Sequence, residues 1–158
     1  MMKQSALRAF MRISVTAALY VALTLAVAPL SYGAVQFRLS EVLTLLCFFK
    51  KDYCYALILG CAISNLFSPL GVLDLIFGVA STVFSVVGIR TVKNIWVASL
   101  FPAISMVFVA WELSLLNMPF WYSFLTAALG EVVVVTAIGV PIFKALRKNR
   151  FFKETVLQ

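Results

Sequence analysis

Six apolar stretches, at residues 13–31, 39–49, 53–68, 72–89, 95–114 and 119–143, alternate with short polar or turn-forming breaks. A helix rising about 1.5 Å per residue needs about 20 residues to cross a hydrocarbon core. Segments 13–31, 72–89, 95–114 and 119–143 meet or approach that length, whereas 39–49 is short and 53–68 marginal. The third stretch stops at Ser68-Pro69-Leu70-Gly71, where proline and glycine end one helix before the next begins. The pattern predicts an all-α integral membrane protein, a bundle of six transmembrane helices. Its second helix is short, tilted or partly buried among its neighbours. No internal repeat and no low-complexity segment interrupts it.

Charge gives this bundle a direction. With the N-terminus inside, Lys3, Arg8, Arg12, Lys50, Lys51, Arg90, Lys93, Lys144, Arg147, Lys148, Arg150 and Lys153 collect on the inner face. Arg38, in the loop 32–38, is the one basic residue left outside. Short loops rich in Lys and Arg stay cytoplasmic, so both termini are expected inside. Treating 39–49 as re-entrant would put ten basic residues outside and three inside, which the same rule rejects. The expected organisation is a cytoplasmic segment 1–12, a membrane domain 13–143 and a basic cytoplasmic tail 144–158. Trp111, Trp121 and Tyr122 fall near the outer boundary and Trp96, Tyr53 and Tyr55 near the inner one, as aromatic belts do.

Composition agrees: 63% of the 158 residues are hydrophobic, 12% are charged, and the mean hydropathy is +1.05. The net charge of +7 lies at helix ends and in the tail, where it suits anionic lipid rather than nucleic acid. Ala26-Val27-Ala28 offers a small-residue cleavage site behind the first apolar run, but that run is expected to be retained as a helix. Cys47, Cys54 and Cys61 are spaced seven apart and no histidine exists, so the thiols are read as small hydrophobes rather than metal ligands. Phosphate loops, dinucleotide-binding glycines and histidine-assisted nucleophiles are absent. No cofactor is expected on this chain, and it is not expected to be an enzyme.

Four acids stand apart from the cytoplasmic lysines. Glu41, Asp74 and Glu112 fall in the outer ends of the second, fourth and fifth segments, and Glu131 lies twelve residues beyond Pro119, near the midplane. A charge at helix centre costs roughly 2.5–3.5 kcal/mol on insertion scales, so Glu131 should not face lipid. Asp74, Gly78, Ser81, Thr82 and Ser85 form one small, polar stripe, and Ser123, Thr126, Ala127, Gly130 and Glu131 another. Such stripes serve either close helix packing or a cavity wall. With Asn65 at the same level, they suggest an outward-opening pocket for a small planar ligand with hydrogen-bond donors. The first segment differs: Ser14, Ala18, Ala22 and Ala26 recur every four residues on a helix read as free of ionisable groups. That face admits close approach of another helix, internal or from another subunit.

These residues carry a resemblance. SVTAALYVALT resembles the first-helix motif of the substrate-binding (S) components of energy-coupling-factor (ECF) transporters. YGAVQFRLSEVLTLL, GCAISNL, DLIFGVAST and ALGEVVVVTAIGVPI, in that order, resemble the QueT-type family of queuosine-precursor transporters. The resemblance covers about residues 13–143. It implies a binding subunit that takes a 7-deazaguanine (preQ1, preQ0 or a relative such as queuine) near the outer face, under the loop carrying Gln36, Phe37 and Arg38. It also implies partners: a transmembrane coupling subunit docked on Ala18, Ala22 and Ala26 beside Ser14, and two ATPase subunits that use the ATP. Glu131 is then the candidate for the guanine-like edge, since one carboxylate accepts from both N1–H and the 2-amino group. Asp74, Glu41 or Glu112 would receive a cationic aminomethyl group, and Phe37, Trp111 or Trp121 would stack on the base. Two alternatives remain: a stand-alone proton-coupled transporter using Glu131, and an S component for a different small heterocycle.

Overall fold

The computed structural model describes residues 2–31, 37–152 and 154, and all regular structure among them is helical. Helix α1 is Met2–Ala26, α2 is Leu39–Phe49, α3 is Asp52–Asn65, α4 is Val72–Thr91, α5 is Ile95–Leu115 and α6 is Phe120–Leu146. Short turns at Ala28–Ser31 and Arg150–Phe152 complete the described helical residues. The six expected segments are thus six helices in order. Residues 2–12, expected to precede the membrane domain, are the first turns of α1.

Four of the helices are long and apolar enough to cross a membrane, namely α1 from Ala6, α4, α5 and α6. Helix α2 is the short one expected. Its first part, Leu39–Leu45, is 3₁₀-helical, a tighter and longer coil that stretches 11 residues to about 20 Å.

Local chemistry explains the breaks. Gly71 takes φ 59°, a conformation that costs glycine nothing, and its N–H bonds Ser68 O at 3.1 Å. Asn94 accepts from Trp96 N at 2.9 Å to start α5, and Pro102, which has no N–H, coincides with the break at Ser99–Leu100. Asn117 closes α5 at φ 64°, with Met118 N bonding Leu113 O and Asn117 N bonding Ser114 O, the Schellman arrangement. In α6 a π-helical stretch, Val132–Gly139, runs into Pro141. A proline there cannot donate to the preceding turn, and the wider coil absorbs the mismatch.

The helices close into a ring: α1 packs on α3, α3 on α4, α4 on α5 and α5 on α6, while α2 fills the gap between α6 and α1. Tyr20, Leu45, Cys47, Leu57, Cys61, Ile89, Val134, Val135 and Val140 form its core. The three cysteines are free thiols, two of them buried, in line with their reading as small hydrophobes. At the end where α3 begins, Arg12 and Asp52 form an ion pair at 2.9 Å. Nearby, partial burial and the Arg12 guanidinium hold the Lys50 ammonium below its ordinary pKa, with Asp52 pulling the other way.

Helix α3 meets α1 at Gly60, where an added Cβ would lie 2.9 Å from Tyr20 Cβ. Gly60→Val is therefore expected to force these helices apart at a cost of about 1–3 kcal/mol. A thermal-unfolding series in detergent checks it. An unchanged midpoint would mean that the contact relaxes freely.

Candidate functional site

Helix polarity alone brings one set of residues to a single end of the bundle. Asn65 closes α3, Asp74 opens α4, Glu112 lies in the last turn of α5, Ser123 in the first turn of α6 and Glu41 in the first turn of α2. Arg38 leads into α2 from the same end, and Glu131 reaches up from three turns down α6.

All are buried. Glu41 is 5% exposed, Asp74 3%, Glu112 0%, Glu131 1%, Asn65 0% and Arg38 5%. They also act on one another. Glu131 interacts electrostatically with Glu41 and Arg38, Glu112 with Asp74 and Arg38, and Arg38 with Glu41 and Asp74. Four acids and one guanidinium thus share one buried region.

Some of this polarity is satisfied within the chain. Arg38 Nε donates to Ser31 O at 3.3 Å, and Asn65 Nδ2 donates to Asp74 O at 2.9 Å. Ser68 donates to Asp74, and Tyr20 OH donates to Glu41. Gly78 is what lets α4 approach here, because a Cβ on it would run into the Asn65 amide.

The rest is not satisfied. Asn65 Oδ1, Asp74 Oδ1, both Glu112 carboxylate oxygens, Ser123 Oγ and Glu131 Oε2 are buried without a hydrogen-bond partner. A buried polar atom left unpaired costs about 1–3 kcal/mol, more when charged. Five such residues, drawn from α3, α4, α5 and α6, converge at one end of the ring. The pattern is that of a receptor for hydrogen-bond donors.

The polar stripe of α4 divides into two uses. Ser81 and Ser85 bond the Ser105 hydroxyl of α5 at 2.9 and 2.7 Å, so that half is helix packing. Asp74 and Gly78 lie at the acid cluster, beside Glu112 and Asn65. On α6, Ser123, Ala127, Gly130 and Glu131 are buried and Thr126 is half-buried, its hydroxyl turned back to Tyr122 O at 2.9 Å.

Three expected aromatic contacts fare differently. Phe37 is partly buried against the core. Trp111 and Trp121 are 59% and 71% exposed, Trp111 against Phe77 and Trp121 against Phe120 and Phe124. Their rings lie on the outer surface of the helices, which suits a membrane interface. Gln36 lies outside the described residues.

The first helix also holds a correction. Tyr20 is an ionisable group on α1, fully buried and bonded to Glu41. Thr24 joins it, its hydroxyl 2.7 Å from that of Ser40. The signal was the period: Thr16, Ala17, Tyr20 and Thr24 form one inward face, opposite the alanines. Ser14, Ala18, Ala22 and Ala26 are exposed, so that face packs on none of the described helices.

Two open clefts lie elsewhere. One of about 620 Å³ runs along α4 and α5, lined by Val83, Phe84, Val87, Phe101 and Phe108, and one of about 320 Å³ lies beside Pro29 and Pro69. Neither is lined by any of the acids, and the first is almost wholly apolar. No group of metal-ligating side chains occurs among the described residues.

Comparison with known proteins identifies the fold's company. Residues 10–148 match the family model described as QueT transporter. The chain belongs to the QueT transporter family. It is similar to the queuosine precursor transporter QueT of Lactococcus lactis subsp. cremoris (strain MG1363), at 35% identity over 147 residues, covering 82% of this chain and 87% of the relative. No solved structure matches the chain significantly. As a QueT family member the chain is a multi-pass membrane transport protein rather than an enzyme. The match spans all of α2 to α6 and most of α1, so every described residue of the acid cluster lies within it.

Proposed function

We propose that the chain is the substrate-binding S subunit of an ECF-type importer, capturing a queuosine precursor of the 7-deazaguanine class from outside the cell. The observation that carries this reading is the set of unpartnered buried acceptors on Asn65, Asp74, Glu112 and Glu131. A deazaguanine offers a matching row of donors, N1–H, the 2-amino group and the pyrrole N–H. Glu131 takes the guanine-like edge, where one carboxylate accepts from two parallel donors. Glu41, Asp74 or Glu112 receives an aminomethyl cation when the ligand has one, and Arg38 holds the charge balance between them.

The relative's printed role, a queuosine precursor transporter, supports the substrate class. The exposed face of Ser14, Ala18, Ala22 and Ala26 supports a membrane partner, the coupling subunit. Two ATPase subunits supply the energy, since this chain has no phosphate-binding loop. Both termini lie in the cytoplasm by the distribution of Lys and Arg, with residues 13–143 as the membrane domain and 144–158 as the basic tail. The acid cluster then sits at the outer end.

Calorimetric titration of the purified protein with preQ1, preQ0, queuine and guanine tests this. Sub-micromolar binding of one deazaguanine, with guanine much weaker, is the expected result. No binding to any of the four would remove the queuosine assignment.

A further inference from the structure

The four acids are not equivalent. Glu41 already accepts from Tyr20, and Glu131 has Glu41 as its nearest electrostatic neighbour, while the field of Arg38 reaches all four acids. Asp74 and Glu112 face each other across the α4–α5 contact within hydrogen-bond reach, and no donor among the described residues meets either Glu112 oxygen or Asp74 Oδ1. Glu112 is fully buried and Asp74 nearly so. Two carboxylates side by side in a low-dielectric interior repel strongly when both are charged. The groups facing this pair are Arg38 from the segment before α2, Asn65 and Ser68 from the end of α3, and, through Arg38, Glu41 and Glu131. Arg38 is the only basic side chain among them, one positive charge for four acids.

We infer that Asp74 and Glu112 form a receptor for a primary ammonium group that gives up a proton when the ammonium arrives. The inference rests on the proposed function. Before binding, the pair holds a proton on one carboxyl. The substrate's –NH₃⁺ brings its own charge, donates to both carboxylates, and the carboxyl proton leaves to water. The carboxyl O–H bond breaks and its proton passes to water, the ammonium keeps its three N–H bonds, and the net charge of the site stays at −1. A ligand with an uncharged nitrile in the same position has nothing to exchange. The pair therefore selects the amine-bearing deazaguanine and couples its capture to proton release.

The test is calorimetry at pH 7 in phosphate and in Tris, whose ionisation enthalpies differ widely. The difference in apparent binding heat gives the protons released. We expect about one proton per preQ1 bound and close to none per preQ0. Glu112→Gln is expected to abolish most of the release and to narrow the preference for preQ1 over preQ0 at least ten-fold. Asp74→Asn, read the same way, guards against a folding defect in either variant. Tight preQ1 binding without buffer-dependent heat would overturn the inference and leave the function standing. Absence of binding to any deazaguanine would overturn both.

Discussion

Replacing Glu131 by glutamine is expected to weaken deazaguanine binding by roughly ten- to a hundred-fold, about 1.5–3 kcal/mol for a hydrogen bond to a charged group. Glutamine has nearly the same shape, but one carboxylate oxygen becomes an NH₂. That NH₂ would point a donor at a donor on the base's Watson–Crick edge, so one contact is lost and the other is weakened. The empty protein should behave oppositely. Glu131 is 1% exposed and Oε2 has no partner, so an amide of the same shape breaks no bond to that oxygen. The apo thermal midpoint of Glu131→Gln should equal or exceed that of wild type. Affinity lost with stability kept marks a residue held for the ligand. Affinity unchanged would sink the assignment, and stability lost along with affinity would make Glu131 a packing residue.

The divide between what was legible and what was not follows from what periodicity encodes. Burial of Asp74, Gly78, Ser81, Thr82 and Ser85 along α4 was readable, because polar side chains sharing a face in an apolar helix turn away from lipid. The level of the acids was readable too, since helix order places the ends of α3 and α5 beside the starts of α4 and α6. Which polar neighbour each would find was not. Nothing in the α4 stripe separates Ser81 and Ser85, used by Ser105, from Asp74, left with an open oxygen.

The direction in which the tryptophans point was not readable for a related reason. Trp111 is next to Glu112 in sequence, yet adjacent residues on a helix point about 100° apart, and Trp111 faces out while Glu112 faces in. Membrane interfaces and ligand sites both favour tryptophan, so composition could not choose between them. Tyr20 was hidden by the opposite effect. A single polar atom on an otherwise apolar side chain disappears into a hydrophobic run, and only the contact with Glu41 reveals it. The 3₁₀ and π stretches, at Leu39–Leu45 and Val132–Gly139, lie beyond a reading that assumes one helical period. The first contains Glu41 and the second begins directly after Glu131.

The double variant Ala18→Leu/Ala22→Leu is expected to leave calorimetric affinity within about two-fold of wild type while cutting cellular uptake at least ten-fold, as packing through small residues requires. Both alanines are exposed on α1, on the face opposite Thr16, Ala17, Tyr20 and Thr24, which hold the helix in the bundle. Leucine is at home in lipid, so the isolated protein loses nothing by the change. A partner helix does lose. In a membrane, water does not drive helices together, and close backbone approach across small residues supplies much of the attraction. Two isobutyl groups hold the partner away and remove it. Uptake measured in cells with the proposed coupling and ATPase subunits, beside calorimetry on the purified variant, separates the two effects. Reduced affinity would place this face inside the binding fold. Normal uptake would move the docking surface to another part of the molecule, with the exposed apolar faces of α4 and α5 next in line.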